Sequence, residues 1–109
     1  MWHKIPWEYI PENGNIKKAR IAGKIICLIK QEDKLYATAV KCPHAGADLT
    51  QGWCDSRYLI CPYHRHAFDL QTGRGLPHQG NYINIYPIES RKNGYYIAIK
   101  PSLWKRLFP

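Results

Sequence analysis

Four side chains in two short runs set the chemistry this chain can offer: Cys42-Pro43-His44 and, after a gap of sixteen residues, Cys61-Pro62-Tyr63-His64. Each run supplies one thiolate and one imidazole, and a cysteine followed two or three residues later by a histidine is metal-ligand spacing rather than disulfide spacing. Two sulfurs and two nitrogens can close a tetrahedron around a single zinc. The same four atoms can instead be divided between two irons of unlike environment. The other two cysteines stand apart from this set. Cys27 lies in the apolar run Lys24-Ile-Ile-Cys-Leu-Ile29 and is expected to pack as a small hydrophobe. Cys54, beside Asp55-Ser56, reads as a free thiol near the surface.

The elements that must hold the four ligands read as short strands. Residues 20–29 and 34–40 are rich in branched side chains and alanine, and Gln31-Glu32-Asp33 between them predicts a hairpin with a polar turn. Residues 41–53 are turn-rich, with at most one helical turn over 45–51. A brief strand over 57–60 leads directly into Cys61. Strand 67–70 is followed by the turn Gln71-Thr-Gly-Arg-Gly75, and 76–81 is a loop. Residues 82–86 and 95–99 alternate like half-buried strands, and Asn93-Gly94 before the second is a hairpin signal. Trp2 and Trp7, with Leu103-Trp104 and Leu107-Phe108 at the other end, are expected to anchor the termini by packing on the sheet.

At 109 residues there is room for one compact domain, and a metal joining distant loops would add folding energy to so small a core. No run approaches the roughly 20 apolar residues of a membrane span. Pro6 and Glu8 interrupt the N-terminal stretch, which therefore lacks a signal peptide's apolar segment. A cytoplasmic, reducing setting is the expectation. The formal charge of +8 favours an acidic protein, a nucleic acid or a membrane face as partner without choosing among them.

The two ligand runs resemble the Rieske [2Fe-2S] family, whose pattern is Cys-x-His followed by Cys-x-x-His. Cys42-Pro-His44-Ala-Gly46 and Cys61-Pro-Tyr-His64 match its halves, and Phe68-Asp-Leu-Gln-Thr-Gly73 is similar to the segment that follows them. The resemblance implies an all-β fold: Rieske-like antiparallel sheets with two cluster-binding hairpin loops. The domain would span 4–100, leaving 101–109 as a short C-terminal tail. It implies one [2Fe-2S] cluster, with Cys42 and Cys61 on the inner iron and His44 and His64 on the outer one through Nδ1. Two neutral imidazoles in place of two thiolates remove negative charge. Such centres have potentials of roughly −150 to +300 mV, against about −400 mV for four-cysteine plant-type clusters.

Departures from the family pattern refine the expectation. Respiratory Rieske proteins join their loops by a disulfide, and the matching positions here are Ala47 and Tyr63. Their serine and tyrosine donors to the cluster correspond to His66 and Phe68, and Phe68 has no hydroxyl. Fewer donors leave added negative charge less stabilised, which implies a low-potential centre. Arg65 stands where the family commonly has glycine and would place positive charge beside His64. His78 lies in a loop resembling the proline-containing cover of the cluster, where Pro77 would exclude water.

Taken together, the sequence predicts a single-electron carrier between a reductase and a terminal oxygenase or other redox enzyme, with redox proteins of acidic docking surface as partners. It has no Gly-x-Gly-x-x-Gly fingerprint and no two-histidine, one-carboxylate iron triad, so no substrate chemistry of its own is expected. An electron-transfer subunit of a nitrite-reductase-like complex is the alternative. A zinc domain that binds nucleic acid is the reading of a different class, and the ligand order does not suit a finger.

Overall fold

The computed structural model describes residues 1–43, 46–63, 65–77 and 79–100. His44, His64, His78 and the tail 101–109 therefore lie outside the described residues, the tail's expected packing anchors included.

Three antiparallel sheets account for the described chain. The middle sheet consists of β2 (Ile16–Ile21), β3 (Lys24–Gln31), β4 (Lys34–Ala39) and β8 (Ile85–Tyr86), paired in that order. A second sheet places β10 (Gly94–Ala98) between β1 (Trp2–Lys4) and β9 (Ile88–Arg91). The third is a meander of β5 (Trp53–Asp55), β6 (Tyr58–Ile60) and β7 (Ala67–Asp69). Short 3₁₀ turns at Trp7–Tyr9 and Leu49–Gln51 complete the regular structure.

β3 explains how the layers hold together. Its run Ile26-Cys27-Leu28-Ile29 is wholly buried, and side chains alternate between the faces of a strand. Cys27 and Ile29 enter one core with Leu49, Leu59, Phe68 and Leu70. Ile26 and Leu28 enter another with Ile5, Ala37, Ile97 and Ile99. A strand covered on both faces needs a continuous apolar run, and each fully buried branched side chain contributes about 1.5–3 kcal/mol. Cys27 thus packs as the small hydrophobe its surroundings predict, and burial pushes its thiol up to about 12 against the lowering hydrogen bond with Thr38.

The expected strand over 20–29 is instead two strands. The chain reverses at Ala22 (φ 51°) and Gly23 (φ 79°), and Ile21 pairs with Lys24. Glu32 (φ 52°) and Asp33 (φ 64°) repeat this geometry between β3 and β4. Two successive left-handed residues match the twist of a tight hairpin, but alanine is not a residue that announces one. The expected strand over 82–86 is shorter as well: only Ile85 and Tyr86 pair with β4, while Tyr82 bridges to Arg74. Trp2 sits in β1 with Arg91 over its ring at 5.7 Å. Trp7 is 82% exposed and anchors nothing within the described chain.

Candidate metal centre

Two loops leave the ends of β4 and β6 and are built alike. The first, 42–47, is closed by Cys42 N–H donating to the Ala47 carbonyl at 2.8 Å; the second, 61–66, by Cys61 N–H donating to the His66 carbonyl at 2.8 Å. In each, the fourth residue after the cysteine takes the left-handed conformation: Gly46 at φ 68° and Arg65 at φ 52°. The bridge between Lys41 and Asp48 and the pair between Ile60 and Ala67 close the two bases. This shared geometry explains why glycine suits the position of Arg65, since an L-residue there carries a backbone penalty.

The sulfurs sit at the inner root of these loops. Cys42 is 2% exposed and Cys61 is fully buried, both in the core beneath the third sheet. Burial pushes the Cys61 thiol upward, the Tyr63 backbone N–H directed at it pulls it down, and the adjacent Cys42 thiol adds to the rise. The residues around them face outward: Pro43, Gly46, Tyr63 and Arg65 are exposed. Two juxtaposed soft donors with a backbone N–H aimed at one of them suit a thiophilic metal group, whose charge would favour both thiolates. Among the described residues, no group of three or more His, Cys, Asp or Glu side chains gathers at any site.

Several side chains that the sequence did not single out hold the loops. Asp48 accepts from Thr50 N–H at 2.9 Å and pairs with Lys18 on β2, fixing the exit of the first loop. An Asp placed just before the short turn Leu49–Gln51 is a capping signal that could have revealed this. Asp69 accepts from Arg57 Nε at 2.8 Å and from the backbone N–H of Gln71 and Thr72 at 2.8 and 3.2 Å. Burial works to raise the Asp69 carboxyl, but these donors hold it below its ordinary value.

A chain of amides from Gln79 and Asn81 reaches the loop 61–66. Ala67 N–H donates to Gln79 Oε1 at 2.9 Å, which leaves Gln79 Nε2 to donate to the Ala67 carbonyl and to Asn81 Oδ1. Asn81 therefore presents Nδ2 to His66 Nδ1 at 3.2 Å, and this imidazole nitrogen accepts. His66 is thus held at the closing end of the loop 61–66. Pro77 is itself exposed, so the grip of this loop comes from Gln79 and Asn81. Phe68 is fully buried, and Cys54 lies half-buried in β5 with its thiol raised to about 11 by burial.

A small antiparallel domain that roots two thiols at matching loops has the architecture of a metal-carrying electron-transfer module. The chain belongs to the Rieske [2Fe-2S] domain family, whose profile matches residues 2–87. It is 37% identical over 82 residues to the ferredoxin component of the naphthalene 1,2-dioxygenase system of Pseudomonas aeruginosa, covering 73% of this chain and 77% of that one. A solved complex of reduced oxygenase and oxidized ferredoxin in carbazole 1,9a-dioxygenase contains a chain matching with a TM-score of 0.75 and 25% identity, over 94% of this chain and 96% of that one. A structure assigned to an NADH-dependent nitrite reductase small subunit of Mycobacterium tuberculosis shares the fold at a TM-score of 0.79 and 19% identity, over 94% and 97% of the two chains. Family membership implies a [2Fe-2S] Rieske cluster, and the chain is a single-electron carrier of the ferredoxin type rather than an enzyme with its own substrate site.

Proposed function

We propose that Cys42 and Cys61 hold the inner iron of a [2Fe-2S] cluster, that His44 and His64 hold the outer one, and that the chain carries electrons from a reductase to a terminal ring-hydroxylating oxygenase. The cluster, when bound, supplies a reversible one-electron couple. The observation that carries the proposal is the burial of two adjacent thiols at the roots of two equivalently closed loops. The oxygenase as acceptor is supported by the dioxygenase-system relative and by the oxygenase–ferredoxin complex.

The residues of this chain act on the site in three ways. Cys42 and Cys61 anchor it to the core, where packing limits movement between oxidation states. The Tyr63 N–H faces the Cys61 sulfur and stabilises negative charge there. Phe68, apolar and fully buried, keeps water out and donates no hydrogen bond. The functional unit is residues 4–100, with 101–109 as a tail. A cytoplasmic setting suits a chain in which no disulfide joins Cys27, Cys42, Cys54 or Cys61.

Purified protein should contain two irons and two acid-labile sulfides per chain, and its dithionite-reduced form should give a rhombic paramagnetic signal. Cys42→Ser, Cys61→Ser, His44→Ala and His64→Ala should each abolish that signal. The redox midpoint should fall below about +150 mV, inside the family's range. Colourless protein with one zinc per chain would overturn the proposal.

A further inference from the structure

Beside the ligand loops the surface is shaped and charged in a way electron storage alone does not require. Tyr82 is 67% exposed, although its backbone is fixed by the bridge to Arg74. A hollow of about 430 Å³ opens on one side of it, lined in part by Lys41, Pro43 and Ile83. On the other side a hollow of about 480 Å³ is lined in part by Arg74, Leu76 and Pro77. Pro43 adjoins Cys42 in the first ligand loop, so this face is continuous with the candidate metal centre. An exposed ring on a fixed backbone loses little freedom when a partner covers it.

The charges flanking this ring have one sign. Lys41 and Arg74 are exposed, one in each hollow, and no carboxylate lines either hollow among the described residues. The nearest acids by position in the fold are engaged: Asp48 pairs with Lys18, and Asp69 with Arg57. Glu32 and Asp33 occupy the turn at the opposite end of β4 from Lys41, and Asp55 ends β5 by the turn into β6.

We propose that Tyr82 and the two hollows beside it form the docking face for an acidic segment of the electron acceptor. That segment would carry carboxylates toward Lys41 and Arg74 and an apolar side chain against Tyr82. This rests on the electron-carrier reading above and names the partner chemistry for it. Tyr82 supplies the buried contact area, and the two cations set the approach and the register.

Electron transfer from the dithionite-reduced protein to two surrogate acceptors of opposite charge tests the proposal: acidic cytochrome b5 and basic cytochrome c, followed by stopped flow. The wild type should reduce cytochrome b5 at a rate that falls steeply with added salt, and cytochrome c without such a fall. The K41E/R74E pair should slow transfer to cytochrome b5 about ten-fold or more at low ionic strength, with the difference vanishing at high salt. Tyr82→Ala should slow it at every salt concentration with an unchanged midpoint. The K34E/K92E pair makes the same change in net charge on exposed lysines elsewhere and should slow it far less. Equal slowing by both charge-reversed pairs, or an unchanged rate for Tyr82→Ala, would overturn the docking face while leaving the electron carrier intact. Wild-type protein with no reversible one-electron couple would overturn both.

Discussion

Arg65→Gly should stabilise the protein, although it removes a charged side chain and adds no contact. Arg65 has φ 52°, in the left-handed region where an L-residue carries a penalty of roughly 1–2 kcal/mol. Glycine removes that penalty but gains freedom in the unfolded chain, which returns about 0.4–1 kcal/mol. Taking the middle of each range, the net gain is about 0.8 kcal/mol, or roughly 3–6 °C in the midpoint of thermal unfolding for a domain of this size. The first loop supplies the mirror experiment. A Cβ built on Gly46 would meet nothing within 4 Å, so Gly46→Ala tests φ alone and should lower the midpoint by a similar amount. Gly73 has φ 78°, and its Cβ would lie 2.1 Å from the Ile83 carbonyl oxygen, so Gly73→Ala should be far more damaging. Arg65→Ala separates backbone from charge: alanine is as strained as arginine, so its stability should stay near wild type. Both Arg65 variants should lower the redox midpoint alike, because each removes the same positive charge. Midpoints should be compared at one scan rate by loss of visible absorption, since cluster release makes unfolding irreversible. A less stable Arg65→Gly, or Gly46→Ala and Gly73→Ala falling together, would refute the backbone argument.

Three further outcomes are expected. Asp69 is held below its ordinary carboxyl value of 3.8 in the folded state, so its stabilising contribution is present above that value and is lost as pH falls through the lower folded one; Asp69→Asn should flatten the stability–pH curve below about pH 4, checked by denaturant midpoints across that range. Cys27 and Cys54 have thiols raised to about 12 and about 11, so iodoacetamide at pH 7 should leave both unmodified until the chain unfolds, as peptide mass spectrometry can show. Gln79→Ala removes the acceptor for Ala67 N–H and the donor to Asn81; hydrogen exchange should quicken at Ala67 while the buried β6 amide of Leu59 stays protected.

What could be read from the sequence depended on the range of the interactions involved. Alternation made the strand around Tyr95–Ile97 visible, and the polar residues at 31–33 made one hairpin visible, because both are local. The Cys-x-His and Cys-x-x-His runs stood out by spacing alone, since metal chemistry constrains residue type more tightly than packing does. Ala22-Gly23 was missed because the adjoining branched residues gave the stronger signal, and those residues continue straight through the turn. The pairs Lys18–Asp48 and Gln79–Ala67 join residues 30 and 12 positions apart, and polar side chains of that kind are as common on solvated surfaces. Trp7 shows the reverse error: a large aromatic suggests burial, yet its side chain stays 82% exposed.

The likeness of the two loops carries more functional weight than either loop alone. A metal held by one element can shift with that element, whereas donors on two elements must keep their separation if the site is to change charge without changing shape. Here the separation is enforced below the loops rather than within them. Cys42 and Cys61 share a core with Leu49, Leu59 and Phe68, and the strands that deliver them, β4 and β6, belong to different sheets facing that core. Moving one sulfur relative to the other would therefore open a packed interior, at about 24 cal/mol for each Å³ of void. The exposed residues that flank the buried sulfurs carry no such packing constraint. Arg65, where the family commonly has glycine, is one such residue. On this argument Leu59→Ala, seventeen residues from Cys42 in the chain but packed in its core, should broaden the reduced paramagnetic signal more than Arg65→Ala does. Equal line widths in the two variants would mean that the core does not hold the sulfurs apart.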